Sequence, residues 1–227
     1  MAHLVDIYLQ PGKVFVDLRE NPKFALPLLL IVVLSAALPL WYFMSVDGGW
    51  YTQHVLLAGG AEMSAGDLEK ARAMMPGATT MAYIGAASSA VTIAVIFALY
   101  ALYLMLAGKV TGGAMTFKRG YSLATWSSMP MVLGSLVALA GVAMMSPQTP
   151  LESLMLTNVD PLLVHLPTDS HWSTLARSFS LLNFWSWFLL ALGWRVFNRA
   201  NWTQSALVAL LPSVVIYGGM ALYAMLK

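Results

Sequence analysis

Apolar residues in this chain fall in long unbroken runs rather than in alternating or striped patterns. Five runs stand out: Phe24–Met44, Ala82–Ala107, Tyr121–Met145, Phe179–Phe197 and Trp202–Leu226. A helix needs roughly 20 apolar residues to cross a bilayer. The runs do not alternate, and each is about twice as long as a barrel strand, so the pattern predicts transmembrane helices. The one Lys, Arg, Asp, Glu or His inside them is Arg195, which lies close enough to a run end to reach the interface. The first run is longer than the apolar core of a typical leader and follows 23 residues. We expect a retained span, although Ser35-Ala36-Ala37 resembles a cleavage site.

Two shorter stretches read as amphipathic helices. From Pro11 to Asn21, Val14, Phe15 and Leu18 share a face, and Asn21-Pro22 ends the helix. From Ser64 to Met75, Ser64 and Asp67 form a capping box, and Pro76-Gly77 ends the helix. Both are expected to rest on the membrane surface. The expected fold is all-α: residues 1–23 form a cytoplasmic segment with an interfacial helix, and residues 24–227 form a five-span membrane domain.

Composition supports this. Hydrophobic residues make up 59% and charged residues 10%, against about 25% charged in soluble domains. A soluble globule and a disordered chain are both excluded. Lys and Arg set the orientation. Lys13, Arg19, Lys23, Lys109, Lys118, Arg119, Arg195 and Arg199 fall on one side, with Asp6, Asp17 and Glu20. Lys70, Arg72, Arg177 and Lys227 fall on the other, with seven acids. The first side is predicted to be cytoplasmic, with the N-terminus inside and the C-terminus outside.

The chain has no cysteine, so thiol chemistry and disulfides are excluded. No run contains a carboxylate or a histidine, which argues against a proton relay or an intramembrane metalloprotease. No base lies near Ser127 or Ser128, and no phosphate-binding loop is present. Neither catalysis nor a cofactor is expected, and no nucleic-acid partner.

Four features carry the remaining interest. The loop Gly108–Gly120 presents Lys109, Lys118 and Arg119 toward anionic headgroups, with Gly112-Gly113 allowing a tight turn; the same charges also act as topology determinants. The third run contains Ser127-Ser128-Met129-Pro130, with Gly134 one turn on. Pro130 is expected to kink it and leave a carbonyl near Trp126 without its donor. Pro212-Ser213 repeats the device in the fifth run, which raises a duplicated pair of hairpins as an alternative. In the fourth run Asn183 and Ser186 share a face suited to interhelical hydrogen bonds. Finally, His165, Asp169 and His171 lie in the loop 146–178 with Glu152 and Asp160. His and carboxylates can ligate zinc, but the spacing fits no helical ligand motif, and solvated loop residues are the expectation.

Taken in order, Gly112-Gly113, Phe117-Lys118, Ser127-Ser128-Met129-Pro130 and Gly134 resemble the core of the Yip family, the Ypt/Rab-interacting membrane proteins, in its bacterial branch. Asn183-Phe184-Trp185-Ser186-Trp187, running into Leu192-Gly193-Trp194-Arg195-Val196, is similar to that family's fourth-span pattern. Pro11 to Pro22, with Phe15, Leu18 and Arg19, resembles its entry segment. The resemblance implies five spans and a cytoplasmic N-terminus. Eukaryotic relatives act in vesicle traffic and bind prenylated small GTPases through a longer cytosolic region. With 23 residues ahead of its first span, this chain is not expected to do so.

The expected function is a non-enzymatic protein of a bacterial inner membrane. It would organise membrane lipid, anionic on the cytoplasmic face, or a protein partner or second copy of itself. The alternative is a small transporter, channel or lipid scramblase that uses the kinked third and fifth runs.

Overall fold

A computed structural model describes residues 2–58, 64–167 and 170–226. Among these the chain is helical, with one isolated bridge between Asn158 and Ser180 as its only strand-like pairing. It divides into two compact units, and the division falls inside four of the long helices.

The first unit comprises Met1–Val33, Ala90–Leu133 and Leu181–Gly219. It opens with α1 (Ala2–Leu9) and α2 (Pro11–Glu20), which pack on each other. Pro11 sits in the first turn of α2, where its missing N–H is no loss. The expected apolar face is present: Val14, Phe15 and Leu18 are fully buried. Its partner is protein, however, because α2 packs against α7 (Phe117–Ser127) and α10 (Leu182–Asn198). The expectation that this face rests on lipid is therefore corrected. A fully buried Phe gains more from close-packed side chains than from a mixed headgroup layer. Helix α1 was not anticipated, and its Ile7 is also fully buried.

The second unit comprises Leu34–Ser89, Gly134–Ser180 and Met220–Lys227. Its core is Leu38, Tyr42, Val46, Ala138, Val142 and Leu154, with Phe43, Trp50 and Tyr51 packed on it. Helix α4 (Gly48–Ala58), absent from the sequence reading, is capped by Asp47, whose Oδ1 accepts from the N–H groups of Gly49 (2.9 Å) and Trp50 (3.0 Å). Helix α5 (Ala65–Met74) carries the expected cap, with Ser64 Oγ accepting from Asp67 N at 3.2 Å. A 3₁₀ turn (Leu151–Leu154), a π turn (Asp160–Val164) and α9 (Ser173–Ser178) fill the loop 146–178.

Among the described residues three helices are long and apolar enough to cross a membrane: α3 (Ala25–Ser45), α6 (Ala78–Val110) and α11 (Trp202–Leu226). A fourth crossing is available if α7 and α8 (Pro130–Met144), bent by 44° at their junction, count as one broken span. The third apolar run is thus two helices rather than one kinked helix. The fourth run yields α10, with 17 residues. At 1.5 Å per residue that is about 26 Å, slightly short of a ~30 Å hydrocarbon core.

Candidate functional site

The residues singled out in the sequence converge mainly in the first unit, around the break between α7 and α8. At the break the backbone tightens. Ser128 N donates to Ala124 O and Thr125 O, and Met129 N donates to Trp126 O at 3.3 Å. The Trp126 carbonyl, expected to be orphaned by Pro130, is therefore satisfied locally. Such i→i+3 bonds shorten the last turn of a helix and redirect the chain. Ser128 Oγ bonds back to Ala124 O at 2.9 Å.

The N-terminal helices close over this break. Tyr8 Oη donates to Met129 O at 2.6 Å. Burial raises the Tyr8 phenol above its usual value, so it stays a donor at any physiological pH. Just beyond α2, the Lys23 carbonyl accepts from both Trp126 Nε1 (2.7 Å) and Ser122 Oγ (3.0 Å). Phe15 and Leu123 crowd against Gly193 of α10: a Cβ there would lie 3.0 Å from the Phe15 ring and closer still to Leu123. A side chain there would have to push the Leu123 methyl and the Phe15 ring aside. The entry segment, the Pro130 motif and the fourth-span motif thus meet at one packing junction.

The Gly-Gly turn has a parallel explanation. Gly112 has φ +74°, a backbone that favours glycine. Gly113 lies against the Asn198 amide at the end of α10, so a side chain there would collide with it. Of the basic residues, Lys109 and Lys118 are exposed. Arg119 spends one N–H on the Ala114 carbonyl at 3.2 Å. Phe117 starts α7 with its ring against Tyr121.

Along α10, Asn183 Nδ2 donates to Tyr217 Oη at 2.9 Å, the interhelical bond expected of it. Ser186 does not share that role, since its buried Oγ finds no protein partner. Trp187 makes the second bond instead, donating to Ser213 Oγ at 2.7 Å. Trp185 is exposed, and Arg195 lies over the Trp202 ring at 5.0 Å. Buried Ser127 Oγ, Trp194 Nε1 and Asn198 Oδ1 also lack protein partners. Gly134 lies one turn into α8.

Pro212 behaves differently from Pro130. Helix α11 continues through it, and the Val208 carbonyl it would orphan accepts from Tyr103 Oη at 2.8 Å. The two proline sites are therefore not copies of one device.

The candidate metal residues lie only partly among the described residues. Asp169 lies outside the described residues, while His165 and His171 are exposed. Among the described residues no group of three His or carboxylates is placed to hold a metal. Asp160 instead accepts from Arg177 Nε at 3.3 Å, and Glu152 Oε1 lies 3.1 Å from His54 Nε2 and 3.5 Å from Arg177 Nη1.

Sequence comparison with known families matches residues 5–223 to the Yip1 domain. The chain belongs to that family. Comparisons with curated proteins and with solved structures find no match. Membership and the apolar helices together make this an integral, multi-pass membrane protein. The Yip1 match covers all three stretches that meet at the junction. What sequence reasoning missed there were the partners Tyr8, Leu123 and the Lys23 carbonyl. The spacing of Leu4, Ile7 and Tyr8 was the available signal for α1.

Proposed function

We propose that this Yip1-domain protein is a non-enzymatic organiser of membrane lipid or partner proteins in a bacterial inner membrane. It crosses the bilayer five times, with its N-terminus inside and its C-terminus outside. In this reading α7–α8 is the third span, and α10, lengthened by Phe179–Leu181, is the fourth. The observation that carries it is the use made of the family's signature residues. Among them Phe15 and Gly193, together with the neighbouring Tyr8 and Trp126, hold helices together rather than line a reactive cleft. Lys109 and Lys118 are exposed nearby, which suits anionic headgroups.

A test follows from that charge. Changing Lys118 and Arg119 together to Gln is expected to weaken anionic-lipid association by about 1 kcal/mol per charge at most, because each basic group near such a surface contributes about that much. Mass spectrometry of lipids and proteins that co-purify in native membranes reads the change. Unchanged co-purification would sink the lipid reading.

Transport is the second reading. The observation favouring it is the set of buried, unpartnered polar atoms in the first unit: Ser127 Oγ, Ser186 Oγ, Trp194 Nε1 and Asn198 Oδ1. Such groups suit a water or solute path through a membrane protein. Flux in proteoliposomes separates the readings. Pro130→Ala lowers stability or partner binding without altering flux if the protein is an organiser. It alters flux at constant thermal stability if the protein is a transporter or scramblase.

A further inference from the structure

We propose that the π turn Asp160–Val164 is a lipid-inserting tip. The proposal rests on reading α10 as a span. Leu162, Leu163 and Val164 are consecutive large apolar side chains, and they are 43%, 64% and 48% exposed. They lie in the loop 146–178, outside every apolar run long enough to span. Exposing such side chains to water is unfavourable by roughly 25 cal/mol per Å² of apolar surface. Lipid removes that penalty.

The base of the tip is built to display it. Asp160 is buried and ties both ends of the turn together. Its carbonyl accepts from His165 N at 2.9 Å, and its Oδ1 accepts from Leu166 N at 2.8 Å. Its Oδ2 meets Arg177, so the carboxylate is charge-compensated. Leu162 N donates to Asn158 O at 3.2 Å. The flanking N–H groups are thus satisfied within the protein, as entry into an apolar medium requires.

Position favours lipid over a soluble partner. Val159 N donates to Phe179 O at 2.9 Å, Asn158 Nδ2 to Arg177 O at 2.6 Å, and Ser180 Oγ to Thr157 O at 3.1 Å. The segment leading into the tip is therefore fastened to Arg177, Phe179 and Ser180, shortly before Leu182. Exposed Leu181, Phe184 and Trp185 follow at once in the chain. Trp172, also exposed in this loop, is the residue type that sits at headgroup level.

The chain has no cysteine, so single-cysteine labelling needs no background substitutions. Nitroxides placed by Leu163→Cys, Phe184→Cys and Gln148→Cys would be compared in vesicles of phosphatidylcholine and phosphatidylglycerol. Collision with oxygen, which partitions into lipid, is measured against collision with a water-soluble nickel chelate. We expect the label at 163 to favour oxygen several-fold, as at 184, and the label at 148 to favour nickel. A lipid-like 184 with a water-like 163 overturns the tip alone. Water-like behaviour at both overturns the span reading of α10 and the tip with it. Spin–spin broadening at 163 that disappears on dilution with unlabelled protein would make a second copy the occupant, and would also overturn the proposal.

Discussion

Pro130 and Pro212 lie within two residues of a serine in apolar helical sequence, yet a helix breaks at one and not at the other. Each removes the donor for the carbonyl four residues earlier. At Pro212 that carbonyl, on Val208, is taken up by the hydroxyl of Tyr103 from α6, and α11 stays unbroken through its 25 residues. At Pro130 the carbonyl, on Trp126, is taken up by the chain itself through Met129 N, and the helix bends by 44°. A proline in an apolar run therefore does not decide the geometry. At these two sites the source of the replacement donor differs along with it: a donor from a neighbouring helix accompanies the intact run and a donor from the next turn the broken one, while α3 also runs on through Pro39. The break then presents Met129 O to Tyr8, and α1 and α2 settle over it.

The largest expected effect comes from removing that cover. Phe15→Ala leaves a cavity against Leu123 and Gly193 and should destabilise the protein by about 3–5 kcal/mol. Thermal unfolding in detergent checks this, and loss of well under 1 kcal/mol would mean the junction is loosely packed. Next is Tyr103→Phe, which withdraws the donor at Pro212. Hydrogen bonds inside membranes average roughly 0.6 kcal/mol and reach about 1.7. The loss should shrink in a Pro212→Ala background, where the restored N–H can serve Val208. The smallest is Tyr8→Phe, expected near 0.5 kcal/mol. Met129 O keeps a bond from Val132 N at 3.0 Å, so the hydroxyl is its second donor. A larger loss for Tyr8→Phe than for Tyr103→Phe would reverse the comparison.

The apolar runs, the capped helix after Ser64 and the face of Val14, Phe15 and Leu18 were legible in the sequence, because each is a local pattern. What covers that face was not, because periodicity tells which side is apolar and not whether lipid or protein meets it. The difference between Pro130 and Pro212 was illegible for the same reason. Tyr103 is more than a hundred residues from Val208, and nothing near Pro212 announces it. Gly193 was legible as part of a motif, but its reason, the approach of Phe15 and Leu123, is tertiary. Glu152 and Asp160 read as solvated loop residues because nothing local in the sequence pairs them with Arg177.

The most direct test of the account is a pair of distances across each proline. Nitroxides at Lys118→Cys and Met144→Cys report the α7–α8 bend, and those at Leu207→Cys and Leu226→Cys report α11; all four positions are exposed. Pulsed electron resonance would measure each pair with the native proline and with alanine in its place. The account predicts that Pro130→Ala lengthens the first distance by several ångströms as the helix straightens. It predicts that Pro212→Ala leaves the second unchanged. If the first distance stays fixed, or if both lengthen alike, the donor's origin does not govern the break.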